Sequence, residues 1–437
     1  MIPATGQPSD SGIVPGQSHP TRPRTWPDPL YGTVRLANWA ALLLAAPPFA
    51  RLAGVSLSDV PGELLFGRPF PSRLDHMRGA YHLARLARPR DRTLQAAALA
   101  HDVGHGPLSH ICEPIMREWL GGDHEARAAR QLAAVRAALP QGALRHLEWL
   151  DWNEVAALVV GAGADARGAL LNGPLDYDNL DNVARFGLAS GLIRPAYDGV
   201  GLARALRLAP GEAAPEDASV GTDEPVGPVY LLASAEADAL AWQAARRRIY
   251  DFLHGDHRNL APHAMLRKAV ELAFADNTLP TEFLDMTDAQ ALDSLAGSSH
   301  RGVATLIARV RAGGYEQHHT CLWEAAIPNG APAADALGTW RKRLSLEAEL
   351  ASEAGLGAHE VIIEAVVSRA GRALPPFSAS GRSGTFTRLP APPPAPYMLH
   401  LFVAAHTPRD YQRRLRAAAE RRLGGLGVAP PAGGDGL

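Results

Sequence analysis

HDVGHGPLSH, the sequence of residues 101–110, contains three histidines and one aspartate within ten positions. Two further candidate ligands flank this motif, His76 upstream and Asp178 downstream. Imidazole nitrogens and carboxylate oxygens together suit a divalent transition metal such as Fe, Mn, Zn or Ni. We therefore predict a site for one such ion, with His76, His101, Asp102 and Asp178 as its ligands. A site of this kind is typical of a metal-assisted hydrolase.

The histidines of this chain are unevenly distributed. Seven of the 17 histidines fall within residues 76–146. A His-Asp pair alone carries little information, because about one such pair is expected by chance in a chain of this composition. The clustering is the stronger signal, since purely structural histidines have no reason to recur at positions 101, 105, 110 and 124.

The residues just before the motif have the pattern of a buried helix. Asp91 is a typical N-cap residue, and residues 93–102 are rich in Leu and Ala. The pattern predicts a helix that carries His101 and Asp102 on its last turn, with Gly104 as its C-cap glycine. A buried carboxylate is costly unless it is paired or bound to a metal, which favours a ligand role for Asp102.

The other two candidate ligands lie on separate predicted helices. His76 belongs to a helix over residues 72–88, which has apolar residues at helical spacing. Asp178 lies at the start of a later helix, where Asp176 and Asp181 are expected to cap the helix or to support the ligands. Because adjacent helical residues point about 100° apart, one helix cannot surround an ion alone. Several helices are therefore expected to meet at the site.

Composition limits the function classes. The chain has 437 residues, of which 46% are hydrophobic and 20% charged, as in ordinary globular proteins. A net charge of −2 without a long basic run does not favour a nucleic-acid partner, although a local basic groove stays open. The two cysteines, Cys112 and Cys321, form no disulfide framework, so a reducing cytoplasm is expected. No apolar run has the length of a membrane span, and no membrane partner is expected.

Composition along the chain also predicts its organisation. Six segments differ in their content of Pro, Gly, charged and apolar residues: a disordered segment (1–25), a helical metal-binding core (26–200), a hairpin with an acidic Pro/Gly-rich insertion (201–232), a helical continuation (233–315), a mixed α/β region (316–423) and a flexible tail (424–437). Within the mixed region, residues 361–367 and 399–403 have the pattern of strands. A last helix is predicted over residues 408–423, with Thr407 as its N-cap and Pro408 at its first position.

The ligand pattern resembles that of the HD-domain phosphohydrolases, whose four metal ligands match His76, His101, Asp102 and Asp178. The longer motif HDVGHGPLSH resembles the branch that contains the deoxynucleoside triphosphate triphosphohydrolases, including the vertebrate restriction factor that carries a SAM domain. The resemblance covers about residues 27–315 and includes no SAM domain. It implies a mainly α fold, with an HD-domain helical core and a smaller mixed α/β C-terminal region.

The resemblance also implies an activity. Enzymes of this branch cleave a dNTP between the deoxynucleoside and the α-phosphorus and release triphosphate, and Mg²⁺ would accompany the substrate phosphates. By position, His105 and His124 would stabilise the phosphates or the developing charge, and His110 would protonate the leaving 5′-oxygen. Glu113 would orient His110, and Arg73 would contact the α-phosphate. The same analogy implies a homo-oligomer.

The chain departs from that branch in the parts that read the substrate. Residues 57–60 are Leu-Ser-Asp-Val where the branch has Gln-Leu-Gly-Gly, and Asn179 and Asn182 follow the last metal ligand where the branch has Lys and Tyr. The helix that holds the triphosphate lacks its basic pattern. Three nearby residues are expected to replace those phosphate contacts: His254, His257 and Arg258.

Other functions remain open at this stage. An HD-type nuclease or phosphodiesterase, or a nucleotide monophosphate phosphatase, would use the same metal ligands. A nucleotide-sensing regulator with little turnover would need the metal and the binding site, but not His110 and Glu113 as an acid pair. An HD-type di-iron oxygenase would need extra histidine ligands, which His105 and His124 could supply. Metal content separates the oxygenase, and polynucleotide cleavage separates the nuclease.

Overall fold

The computed structural model describes residues 24–161, 165–208, 229–313, 319–327, 331–367, 374–378, 386–389 and 397–428. Most of the predicted N-terminal disordered segment (1–23), the acidic insertion (209–228) and the end of the predicted tail (429–437) lie outside these residues. Arg24 and Thr25, at the end of the predicted disordered segment, already belong to a strand.

The N-terminal two-thirds of the described chain is mainly helical, as predicted. Its helices are α1 (Asn38–Leu44), α2 (Pro47–Ala50), α3 (Gly62–Phe66), α4 (Arg73–Ala87), α5 (Arg92–Ala100), α6 (Glu113–Leu120), α7 (His124–Ala138), α8 (Gln141–Leu144), α9 (Trp152–Val160), α10 (Ala169–Asn172), α11 (Tyr177–Ser190), α12 (Gly199–Ala205), α13 (Glu236–Gly255), α14 (His257–Ala275), α15 (Asp288–Ala296) and α16 (Arg301–Ala312). An N-terminal hairpin joins β1 (Arg24–Asp28) to β2 (Gly32–Leu36).

The remaining elements form two small sheets and three further helices. Antiparallel pairing joins β3 (Leu206–Leu208) to β4 (Val229–Leu232), and β7 (Phe377–Ser378) and β8 (Phe386–Thr387) extend that sheet in the order β3-β4-β7-β8. The C-terminal region contains β5 (His319–Ile327), β6 (Val361–Val367) and β9 (Tyr397–Ala404), in the order β5-β9-β6 with antiparallel pairs, and α17 (Pro332–Leu337), α18 (Trp340–Ala354) and α19 (Arg409–Gly424). The mixed α/β character of this region agrees with the predicted fold class.

Capping side chains fix the helices that carry the candidate ligands. Ser72 accepts a hydrogen bond from the backbone N–H of Asp75 at the start of α4, and the Asp75 carboxylate accepts one from the N–H of Ser72 in return. Asp91 caps α5 by accepting from the N–H of Leu94 at 2.9 Å. The apolar faces of these two helices are buried. Burial of each large apolar side chain stabilises the folded state by about 1.5–3 kcal/mol.

The end of α5 differs from the prediction. The helix ends at Ala100, His101 is its C-cap residue, and Asp102 lies in the turn that follows. Gly104 is therefore not the C-cap glycine of α5. A Cβ atom at Gly104 would lie 1.9 Å from the carbonyl oxygen of His124 on α7. The glycine is therefore required for close packing of the turn against α7, a long-range contact that an apolar helical pattern does not reveal.

The C-terminal helix also differs from the prediction. Pro408 occupies the N-cap position and the helix runs from Arg409 to Gly424, so Thr407 does not cap it. The Thr407 hydroxyl is buried and makes no hydrogen bond. The ordered chain continues beyond the predicted start of the flexible tail at residue 424, because the side chain of Val428 is 1% exposed and packs in the C-terminal core.

No helix among the described residues combines the length and the hydropathy that crossing a bilayer requires.

Candidate metal centre and active site

The four predicted metal ligands converge at the meeting point of α4, the turn after α5, and α11. His76 Nε2 lies 3.2 Å from His101 Nε2, 2.9 Å from Asp178 Oδ1 and 3.7 Å from Asp102 Oδ2. His101 Nε2 lies 3.6 Å from Asp102 Oδ1 and 3.7 Å from Asp178 Oδ1. These separations bring one donor atom each of His76, His101 and Asp178 within 4.8 Å of one another, and the Asp102 carboxylate lies beside this group.

The outer ring nitrogens determine which atoms face that point. His101 Nδ1 lies 2.9 Å from the carbonyl oxygen of Ala98, and His76 Nδ1 lies 2.8 Å from Asp181 Oδ2. Both partners only accept hydrogen bonds, so both Nδ1 atoms carry a proton. In the neutral form of each ring, Nε2 therefore directs its lone pair toward the other Nε2 and toward two carboxylates. A divalent cation between these atoms satisfies all of them, so the donor set fits the predicted metal.

The pKa shifts of His76 and Asp178 indicate that positive charge is stabilised at this cluster. Burial lowers the pKa of His76, but hydrogen bonds and charges of Asp178 and Asp181 outweigh it and raise that pKa to about 10. His76 and His101 in turn hold the pKa of Asp178 below its usual range, against the opposing effect of burial. A bound cation would supply the same compensation and would displace the extra proton from His76.

A buried network holds Asp181 against His76. Arg185 donates to both carboxylate oxygens of Asp181, at 2.8 and 2.9 Å, and the Tyr31 hydroxyl donates to it at 2.9 Å. Asp28 Oδ2 lies 2.9 Å from Nη2 of Arg185, the nitrogen that also donates to Asp181 Oδ1. Sequence patterns did not predict the roles of Asp28, Tyr31 and Arg185, although the first two belong to the DPLYG segment at residues 28–32.

Gly79 on α4 makes room for this network. A Cβ atom on Gly79 would lie 1.8 Å from Asp181 Oδ1 and 2.6 Å from Arg185 Nη2. We expect Gly79→Ala to lower the free energy of unfolding by about 1–3 kcal/mol and to weaken metal binding, because Asp181 must move away from His76. Urea denaturation and metal titration would measure both effects.

Gly142→Ala is the matched control, since a Cβ atom there meets nothing within 4 Å. We expect it to change stability by less than about 0.5 kcal/mol and to leave metal affinity unchanged. Equal stability and metal affinity of Gly79→Ala and the wild-type protein would contradict the packing argument.

Arg73 lies beside Asp102 and is deeply buried. Its guanidinium donates to Asp102 Oδ2 at 2.6 Å and to the Ser109 hydroxyl at 2.9 Å. Arg73 and Asp102 also line the same cavity, so the guanidinium can contact both a metal ligand and a bound molecule. The predicted contact of Arg73 with a phosphate remains a prediction.

Two histidines contact Glu113 at the start of α6, and a third stacks on one of them. Glu113 Oε1 lies 2.7 Å from His110 Nδ1 and 2.5 Å from His124 Nδ1. His105 stacks on His124 with ring centroids 3.9 Å apart, and its Nε2 lies 3.2 Å from Asp102 Oδ1. The structure thus brings the four predicted catalytic residues together next to the predicted metal ligands.

The environment assigns different charges to these histidines. Burial lowers the pKa of His110, but the Asp59 carboxylate and the hydrogen bond and charge of Glu113 outweigh it, so the pKa is raised above its usual value. Burial and the charge of Arg73 hold the pKa of His105 well below its usual range. His110 is therefore suited to donate a proton near neutral pH, and His105 is neutral.

Replacement of Glu113 tests this electrostatic assignment. We expect Glu113→Gln to lower the pKa of His110, because the negative charge that stabilises its protonated form is removed. The rate of an acid-catalysed step falls as pH rises through that pKa, so the falling limb of the pH–rate profile should move to lower pH. Glu125→Gln is the control, because it removes a nearby carboxylate that lies 3.3 Å from His124. We expect this variant to leave the falling limb in place. Unchanged profiles for both variants would contradict the role of Glu113.

Two connected cavities adjoin these residues. The inner cavity, of about 570 Å³, is lined by Asp102, Asp178, His105, His124 and Arg246 among others. The outer cavity, of about 440 Å³, is lined by Asp59, Glu113, His254, His263 and Tyr397 among others. Four residues line both: Arg73, His110, Asn182 and Tyr250. Each volume by itself lies within the range of small-molecule sites.

The cavity lining differs from the predicted substrate contacts. His254 lines the outer cavity, but His257 and Arg258 line neither cavity. α13 ends at Gly255 and α14 begins at His257, so the chain turns away from the cavity here. Arg258 donates to its neighbour Asp256 at 2.9 Å.

Arg246 also lines the inner cavity and lies about two helical turns before His254 on α13. Its guanidinium lies 4.0 Å from the ring centroid of Tyr250. Arg246 was not among the predicted site residues, although its helical spacing from Tyr250 could have indicated it.

A comparison with protein families agrees with this geometry. The HD-domain model matches residues 73–182, which extend from the start of α4 into α11 and contain all four predicted ligands. HD domains form a superfamily of metal-dependent phosphohydrolases. A search among curated proteins finds no match.

Proposed function

We propose that this protein is a metal-dependent phosphohydrolase that acts on nucleotides, and that it hydrolyses dNTPs to deoxynucleoside and triphosphate. One observation carries the proposal: donor atoms of two histidines and two carboxylates lie together beside a cavity that is also lined by His110, which Glu113 holds. An electrophilic centre and a proton donor on one cavity are the two requirements for cleaving a phosphoester with a poor leaving group.

The ion of the centre is proposed to be one divalent transition metal, Fe, Mn, Zn or Ni. It would be held by His76, His101 and Asp178, whose donor atoms lie within 4.8 Å of one another, and by the adjacent Asp102. When bound, it would polarise a phosphoryl oxygen and lower the pKa of a water molecule beside the α-phosphorus. Arg73 would keep Asp102 ionised and oriented through its 2.6 Å contact. Mg²⁺ on the substrate phosphates would offset their remaining charge.

His110 is proposed as the general acid. Glu113 holds its Nδ1, so Nε2 is left to face the cavity, and the side chain is 44% exposed. In the proposed reaction water loses one proton to solvent, its oxygen bonds to the α-phosphorus, and the bond from phosphorus to the 5′-oxygen breaks. His110 gives its proton to the 5′-oxygen, because an alkoxide is a poor leaving group without one.

The two cavities suggest how the substrate lies. The inner cavity offers Arg246, Tyr250 and His124 to a triphosphate, with a planar guanidinium suited to pairs of phosphate oxygens. The outer cavity offers apolar Leu57 and Phe186 to a nucleoside. Residues 57–59 line this outer cavity, so the departure from the Gln-Leu-Gly-Gly stretch falls where the base and sugar would be read.

A substrate panel tests the proposed class. The purified protein with Mg²⁺, and separately with Mn²⁺, would be incubated with dNTPs, NTPs, nucleoside monophosphates and a single-stranded oligonucleotide. We expect turnover of dNTPs above the other substrates. Turnover of the oligonucleotide alone would favour the nuclease, turnover of monophosphates alone would favour the phosphatase, and stoichiometric metal without any turnover would favour the sensor.

The location and assembly of the enzyme rest on the resemblance and composition. We propose a cytoplasmic homo-oligomer, and size-exclusion chromatography with light scattering would measure its state of assembly. An oxygenase with a second ion at His105, His110 and His124 receives less support, because Glu113 already occupies Nδ1 of His110 and of His124.

A further inference from the structure

We propose a second metal site, for Zn²⁺, where the N-terminus of α14 meets the C-terminal sheet. Its ligands are His257, Cys321, Glu324 and His400, each of which offers one donor atom within 4.8 Å of the other three. None of these residues lines the inner cavity or belongs to the HD ligand set. The site would be separate from the proposed active site and is independent of the proposed function.

A β-bulge brings three of these side chains to one face of the sheet. Cys321 and Glu324 are three residues apart on β5, so a regular strand would point them to opposite faces. The pairing register with β9 shifts between Cys321 and Trp323. As a result Cys321 is paired with Phe402 and Glu324 with His400, two positions apart on β9. The extra residue therefore returns Cys321 to the face of Glu324 and His400.

His400 is the observation that points to a ligand. Its side chain is 3% exposed, and neither ring nitrogen makes a hydrogen bond. Nδ1 lies 3.4 Å from Glu324 Oε2, and His257 Nε2 lies 3.4 Å from the same oxygen. The rings of His257 and His400 are nearly perpendicular with centroids 5.5 Å apart. A buried imidazole whose nearest acceptor lies at 3.4 Å is poorly satisfied, and a cation between Nδ1 and Glu324 would give that nitrogen a partner.

The donor set identifies the class of metal. Two imidazoles, one thiolate and one carboxylate form a tetrahedral set that suits Zn²⁺. Bond lengths of about 2.0–2.3 Å place tetrahedral ligand atoms roughly 3.3–3.8 Å apart, close to the separations of His257 and His400 from Glu324. Burial raises the pKa of the Cys321 thiol to about 12, so zinc binding would release its proton and form the thiolate bond. The bound ion would tie α14 to β5 and β9.

Metal content separates the two sites. Wild-type protein purified with zinc should contain two ions per chain by elemental analysis. Cys321→Ala and Glu324→Gln should each lose the second zinc, whereas Asp178→Ala should lose the ion of the HD centre and keep the second zinc. Glu324 is 54% exposed, so its replacement is not expected to disturb the fold, and circular dichroism would check this.

Cobalt substitution gives a direct signature of the thiolate. The Co²⁺ protein should show a thiolate-to-cobalt charge-transfer band that Cys321→Ala abolishes. Cys112→Ala is the matched control, because Cys112 is the other cysteine and is not among the four proposed ligands. A single ion per chain that Asp178→Ala removes, together with no charge-transfer band in wild-type protein, would overturn the second site and leave the proposed function unaffected.

Discussion

Asp178→Ala is expected to lose the bound ion and to reduce nucleotide hydrolysis to the rate without enzyme. Asp178 Oδ1 lies within 3.7 Å of Nε2 of both His76 and His101, so its removal opens the ligand set on one side. The side chain is 30% exposed, and its replacement leaves no large cavity. Elemental analysis, initial rates and thermal unfolding would separate loss of metal from loss of fold.

Asp181→Asn is the graded control for this variant. Asp181 lies one helical turn further along α11 and contacts His76 Nδ1, on the opposite edge of the ring from the ion. Replacement of such a supporting group typically weakens metal affinity by roughly 10–100-fold, so activity should return with added metal. Full activity and full metal content in Asp178→Ala would contradict the four-ligand centre.

The second large effect is expected for His110→Ala. This variant should keep its metal, because His110 is not one of the proposed ligands, and should hydrolyse dNTPs roughly 10²–10⁴-fold more slowly if His110 is the general acid. The loss should fall on kcat, since the proton is transferred as the bond to the 5′-oxygen breaks. Steady-state kinetics with measured metal content would check both parts.

The leaving group supplies the control for His110. A p-nitrophenyl phosphodiester releases a phenolate that needs no proton, so His110→Ala should hydrolyse it at nearly the wild-type rate. Asp178→Ala should be inactive on both substrates, because each requires the ion. An equal loss on both substrates in His110→Ala would argue for a structural role, and an unchanged dNTP rate would exclude the acid role.

Local chemistry made the metal ligands predictable. The residue types and spacing around HDVGHGPLSH indicated His76, His101, Asp102 and Asp178, and the structure brings them together. The predicted helix over residues 72–88 is confirmed as α4 within one residue at each end, because its capping box and apolar spacing are local signals. Residues 361–367 form β6 as predicted from their apolar, β-branched composition.

Contacts between distant parts of the chain were not predictable from the same signals. Tyr31 and Asp181 are 150 residues apart, and only the folded chain shows that they meet. Gly79 has no side chain to signal its role, which depends on the approach of Asp181. The β-bulge at Cys321 changes which residues share a face, so an alternating pattern would have separated Cys321 from Glu324. The chain also turns away from the cavity before His257, and the sequence pattern did not indicate that this turn removes His257 from the cavity lining.

Hydrolysis of a dNTP in water labelled with heavy oxygen tests the central claim most directly. Attack of water at the α-phosphorus with cleavage of the bond to the 5′-oxygen predicts unlabelled deoxynucleoside and one labelled oxygen in intact triphosphate. Chromatography and mass spectrometry would identify both products. Labelled orthophosphate, a nucleoside monophosphate product, or no hydrolysis by protein with its metal fully bound would contradict the account.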